Sequence, residues 1–103
     1  MPDQGLIHEF EWDQGNLNKS YLKHGITPKE SEEIFLDENL RVVPDVKHQQ
    51  DEPRFVALGK TLAGDTLFVV FTLRGHKVRV ISARRMNRKE RRVYEKIKKN
   101  PQV

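Results

Sequence analysis

Two strand-like runs, TLFVVFTLR (66–74) and KVRVISAR (77–84), are separated only by Gly75-His76. A two-residue loop with glycine first is a hairpin turn, and so short a turn leaves the pairing little freedom. Counting back from it, Arg74 lies opposite Lys77, Thr72 opposite Arg79 and Val70 opposite Ile81 on one face. Leu73 and Val78, Phe71 and Val80, and Val69 and Ser82 share the other face, which is mostly apolar and must be covered by helices. Ser82 therefore reads as structural. The first face gathers Arg74, Lys77 and Arg79. Like charges placed opposite each other cost about 0.2–1 kcal/mol per pair. Either a bound anion or carboxylates from the 45–52 loop would relieve them.

The rest of the chain supplies the covering elements. GLIHEFEW (5–12) alternates, with Leu6, His8, Phe10 and Trp12 on one side and Ile7, Glu9 and Glu11 on the other, as a strand does. Asp13 caps a predicted helix running to about Lys23, with Leu17 and Tyr21 on one face and Gly25 just past its end. Thr27-Pro28-Lys29-Glu30 is a capping box with proline at the first helical position. The helix it starts runs to about Leu36. Residues 37–53 read as a polar connection with a short extended piece at 41–43, where Pro44 and Pro53 argue against a central strand. RFVALGK (54–60) is the next strand, turning at 62–65. Asn87 and Glu90 box the start of a last helix, with Val93, Tyr94 and Ile97 as its apolar stripe and Asn100-Pro101 as its stop. The order β-α-α-β-β-β-α is an α+β fold with an antiparallel sheet. We expect one domain over 1–103, with 5–99 as the ordered core.

Charge is unevenly distributed. Residues 74–99 hold twelve Lys and Arg against two acids, whereas the other 77 residues hold seven bases and thirteen acids. A clustered basic segment points to a polyanion or an acidic protein as partner. Arginine forks favour phosphate, and a last helix charged nearly all round makes a poor membrane anchor. Absence of cysteine removes thiol chemistry and disulfides. The four histidines are scattered, so neither a metal nor a cofactor is expected. No phosphate loop or nucleophile elbow is present. With no long apolar run and no signal-like N-terminus, a cytoplasmic protein is expected.

RNA cleavage that uses the RNA's own 2′-hydroxyl needs a base, cations for the phosphate and an acid for the leaving oxygen. HQQDEPR (48–54) offers His48, Glu52 and Arg54, and the hairpin offers Arg74 and Arg79. These are common residue types, and a salt bridge or loop hydrogen bond is the plainer reading of His48 and Glu52.

FEWD (10–13), KHGIT (23–27), IFLD (34–37), DVKHQQDEPRF (45–55), VVFTLR (69–74) and VRVISARRMNRKERRVYE (78–95) together resemble the BrnT toxin family, over about residues 10–96. The resemblance implies a RelE-like fold, with two N-terminal helices packed on an antiparallel sheet whose opposite face binds RNA. It implies a metal-independent ribonuclease that arrests translation. It also implies a ribbon-helix-helix antitoxin of the BrnA type, with DNA met only through that partner; the positive charge of 74–96 predicts that the antitoxin covers part of that segment. The family's His, Glu and Arg match His48, Glu52 and Arg54, and its last-strand positions match Arg79, Ser82 and Arg84. With Arg74 and Lys77 from the hairpin register, Glu52, Arg54, Arg74 and Arg79 are the candidate catalytic residues, and Lys23, His48, Lys77 and Arg84 are candidate RNA contacts. Lys23 is equally explained as a cation at a helix C-terminus. The chain departs from the pattern at Asn16 and Ser20, read as helix-surface changes, and at Gln49 and Pro53 beside the site. Those two changes leave open a binding module that has lost cleavage and acts with its antitoxin in operon repression. A direct DNA binder is the weakest reading, because no recognition helix is evident.

Overall fold

The computed structural model describes residues 9–49 and 51–99. The elements are β1 (Glu9–Phe10), α1 (Lys19–His24), α2 (Pro28–Glu33), β2 (Arg41–Pro44), β3 (Phe55–Lys60), β4 (Thr66–Arg74), β5 (Lys77–Arg85) and α3 (Arg88–Lys99). The strands form one five-stranded sheet in the order β1-β5-β4-β3-β2. Residues 5–8 of the expected first strand, the Ile97 side chain and the Asn100-Pro101 stop lie outside the described residues.

The fold class holds, with two corrections to the order and the sheet. β2 is a full fourth antiparallel partner, pairing Arg41–Pro44 with Leu58–Phe55. It is an edge strand, where Pro44 is tolerated because nothing pairs on its outer side. β1 runs parallel to β5, Glu9 beside Lys77 and Phe10 beside Val78. The sheet is therefore mixed. Short pairing between segments almost 70 residues apart leaves no turn in the sequence from which direction could be read.

The hairpin register holds from Arg74–Lys77 through Phe71–Val80 and then slips. Val70 pairs with Ser82 and Val69 with Ala83, leaving Ile81 as a β-bulge. Beyond the bulge Ala83 points to the core, fully buried. Ser82 and Arg84 consequently sit on the open face with Arg79, which corrects the placement of Ser82 on the apolar face.

Capping chemistry sets the helices. Thr27 accepts from the Glu30 N–H at 3.1 Å while Glu30 accepts from the Thr27 N–H at 2.9 Å, the reciprocal box expected of TPKE. Gly25 takes the left-handed conformation (φ 73°) that ends α1. α1 starts later than predicted, because Asp13 and Asn16 close a turn first, with Asp13 N–H donating to Asn16 Oδ1 at 2.8 Å. Leu17 and Tyr21 stay largely exposed. Asn16 and Ser20 are not surface changes. Buried Asn16 donates to the carbonyls of Glu11 and Val80, both at 3.0 Å, and Ser20 Oγ accepts from the Ala83 N–H at 2.8 Å. Both side chains tie the N-terminal segment to β5.

On one sheet face Ile26, Ile34 and Phe35 bury against Ala57, Leu67, Val69, Phe71, Val78, Val80 and Ala83. Phe35 stands edge-on to Phe10 and Phe71, with centroids 5.4 and 5.3 Å away. The 3₁₀ turn Ile34–Leu36 presses on β3 so closely that a Cβ at Gly59 would lie 2.8 Å from Ile34 Cβ. On the opposite face Tyr94 of α3 and Met86, which precedes the helix, pack with Leu58, Val56 and Phe68. The Tyr94 hydroxyl donates to Asp37 Oδ2 at 2.6 Å, anchoring α3 across the sheet edge. α3 covers only the far end of that face. The hairpin end stays open.

Candidate functional site

The open half of the sheet carries a cleft of about 190 Å³ lined by His48, Asp51, Glu52, Pro53, Arg54, Thr72 and Ile81. It is smaller than the roughly 300–1,000 Å³ of typical small-molecule pockets. The loop 45–54 forms one wall. Asp45 N–H donates to the Arg54 carbonyl at 2.7 Å, so the loop's two ends meet. The buried Thr72 hydroxyl donates to the Pro53 carbonyl, fixing the loop to β4. His48 Nδ1 lies 3.0 Å from Asp45 Oδ1 at the exposed rim. The bulge residue Ile81 supplies the floor opposite.

Beside this cleft runs a ladder of alternating charge. Asp13 takes a two-pronged contact from Arg79, at 2.8 and 3.0 Å. Glu11 Oε2 accepts from both Arg79 and Arg74 at 3.1 Å. Arg74 Nε then donates to Glu52 Oε2 at 2.9 Å. The alternation of β1 explains it. Phe10 turns to the core and Trp12 donates to Glu32 of α2 at 2.7 Å, which leaves Glu9 and Glu11 facing the hairpin's cations. Glu9 meets His76. Of the two ways to relieve the crowded cations, carboxylates are present, from the loop as considered and also from the N-terminal segment. Glu11 and Asp13 escaped the sequence reading as site residues. The signal available was the acidic row Glu9–Glu11 on one side of a strand, complementary to the Arg74–Lys77–Arg79 row.

The ladder tunes its members. The hydrogen bond from Arg79 holds the Asp13 carboxyl below its ordinary range, helped by the Gly15 N–H. The hydrogen bond from Arg74 does the same for Glu52. Across the sheet, Arg84 lowers Glu90. Groups with depressed folded pKa values add stability that is complete above their unfolded values, about 4, and is lost as pH falls through the folded ones. Denaturation midpoints are therefore expected to stay level from neutrality to about pH 5 and to drop below it. Arg79→Gln should flatten that acid limb. Equal limbs in the two proteins would mean that the ladder is energetically silent.

The candidate residues are brought together unevenly. His48, Glu52 and Arg54 line the one cleft, and Arg74 reaches its edge through Glu52. Arg54 makes no ion pair among the described residues. Arg79 lies one step farther along the ladder. Lys77 is exposed at the hairpin end. Arg84 is held by a fork to Glu90, 2.8 Å on both arms, and stacks on Phe68 at 4.0 Å. Lys23 is exposed on α1 and does not line the cleft.

Residues 12–90 match the sequence model of a family described as the ribonuclease toxin BrnT of a type II toxin–antitoxin system. The chain belongs to the BrnT family. No curated protein matches it. BrnT membership makes it a ribonuclease toxin by family, with an antitoxin as partner. The matched span includes the cleft, Asp13, Arg74, Arg79 and Arg84. It starts just after Glu11, so one carboxylate of the ladder stands outside the BrnT match. Most of α3 also lies beyond it. No helix among the described residues is long and apolar enough to cross a membrane.

Proposed function

We propose that the chain is a metal-independent endoribonuclease that cleaves mRNA in the cytoplasm and arrests translation. The observation that supports this best is the cleft itself, where His48, Glu52 and Arg54 converge beside Arg74 in a member of a ribonuclease family. Glu52 takes the proton of the attacking 2′-hydroxyl. Arg54, Arg74 and Arg79 bind the phosphate and the charge that grows on it in the transition state. His48, Lys77, Arg84 and, at a distance, Lys23 contact the RNA. To reach Arg74 the phosphate must displace Glu52 or Glu11. Displacing Glu52 removes the hydrogen bond that lowers its basicity, so the base strengthens when substrate arrives. The Ile26–Phe35 segment packed on one sheet face, with the hairpin end of the other face open, suits a RelE-like ribonuclease. A BrnA-type ribbon-helix-helix antitoxin silences the toxin by covering part of residues 74–96, where the positive charge is concentrated. Any DNA contact runs through that antitoxin.

The paired state of Arg74 and Arg79 favours a second reading, a weakly active or inactive binding module that serves operon repression with its antitoxin. Tightly induced expression separates the two. Growth arrest with fragmented mRNA, and RNA cleavage by the purified protein with a chelator present, is the expected result. A soluble, folded chain that neither arrests growth nor cuts RNA would leave the binding module.

A further inference from the structure

The cleft region is poor in net positive charge. Arg54, Arg74 and Arg79 are set among Glu11, Asp13, Asp51 and Glu52, four carboxylates to three cations. A polyanion gains little affinity there, because Arg74 and Arg79 must each give up a carboxylate and only Arg54 is without one among the described residues. Most unmatched cations are elsewhere. Arg88, Arg91, Arg92 and Lys96, with Glu95 among them, line one shallow groove. At 3.6 residues per turn these positions form a single stripe. It points away from Tyr94, the residue that buries α3 against the sheet. None of the four cations forms an ion pair among the described residues, Arg91 donating only to the Met86 carbonyl at 2.9 Å, whereas Arg84 is fully used by Glu90 and Phe68. The stripe runs about 12 Å along the helix axis. α3 packs on Val56, Leu58 and Phe68, so it stands on the same side of the sheet as the cleft.

We infer that this outward stripe of α3 is the phosphate-backbone track for single-stranded RNA, supplying affinity while the cleft supplies chemistry. The choice of RNA rests on the ribonuclease reading above. Stable protein interfaces centre on apolar anchors, whereas the stripe presents cations and Glu95, so RNA is its occupant in the free toxin and an antitoxin covering part of 74–96 would compete for the same charges. Sequence-independent binding through phosphates requires only cations and is recognised by its salt dependence.

The test uses the intact protein and a fully 2′-O-methylated fifteen-nucleotide RNA, which lacks the nucleophile and so reports binding without cleavage. Kd is measured from 50 to 300 mM salt for the parent, for the triple variant Arg88→Gln/Arg92→Gln/Lys96→Gln, and for Glu95→Gln. Each single-strand phosphate contact contributes about 0.7 to the slope of log affinity against log salt. The triple variant should lose about 2 from that slope, and about 100-fold in affinity at 0.1 M salt. Glu95→Gln should tighten binding, a gain that misfolding cannot imitate. An unchanged slope in the triple variant overturns the inference. So does loss of antitoxin affinity with RNA binding intact, which would make the stripe a protein-docking face. Cleavage of unmodified RNA is measured alongside. A parent that cuts RNA while the triple variant keeps its slope fails the track and leaves the ribonuclease standing. A parent that binds through the stripe but never cuts does the reverse.

Discussion

Glu52→Gln is expected to reduce RNA cleavage by about 10²–10⁴-fold, the usual worth of a positioned general base. Glutamine keeps the size of the side chain and can still accept from Arg74 Nε, so the cleft wall stays in place. The urea midpoint should stay where it is, as for an exposed position. Initial rates on a labelled RNA, read beside a urea titration, provide the check. The pH profile adds a second signature. With Arg74 lowering Glu52 in the free protein, the acid limb of kcat/KM should lie below the ordinary carboxylate range, and Arg74→Gln should raise it. Full activity in Glu52→Gln would make Glu52 no more than the counter-ion of Arg74. Arg79→Ala is a less clean probe, because it also releases Asp13 and Glu11 and with them the N-terminal segment. Arg79→Lys beside it separates lost charge from a loosened edge.

Phe35→Ala should have the largest effect on stability. Phe35 is 5% exposed and joins Phe10 to Phe71, while Phe71 in turn stacks on Phe55 at 5.4 Å. Truncating a buried phenylalanine costs about 3–5 kcal/mol, a large share of the roughly 5–15 kcal/mol that holds a domain of this size. The melting temperature should fall by about 15–30 °C. Leu36→Ala, one residue on, removes a side chain that is 70% exposed and should shift it little. Similar losses in both variants would contradict the packing described, and calorimetry of the pair decides the matter.

Local signals in the sequence were dependable. The Gly75-His76 turn, the Thr27–Glu30 box and the Gly25 cap appear where their chemistry demands, since each is settled within five residues. What depended on distant partners was not legible. The parallel direction of β1 rests on pairing with β5, almost 70 residues later, and β2 was legible only as a short extended piece at 41–43, because its pairing with β3 leaves no trace in a proline-flanked run. The bulge had no compositional mark, because Ile81 suits an alternating strand as well as a bulge. In the candidate site, the convergence of His48, Glu52 and Arg54 follows from their closeness in the chain. The ladder does not, because Glu11 and Asp13 reach Arg74 and Arg79 only once β1 has docked.

The bulge at Ile81 has a consequence for how this strand tolerates changes in length. In a strand without a bulge, deleting one residue turns every later side chain to the other face. Deleting Ile81 itself would not, because Val70 already faces Ser82 and Val69 already faces Ala83. The sidedness of both halves survives, and what is lost is one wall residue of the cleft. Loss of this single residue can therefore reshape the cleft while the buried core keeps its contacts.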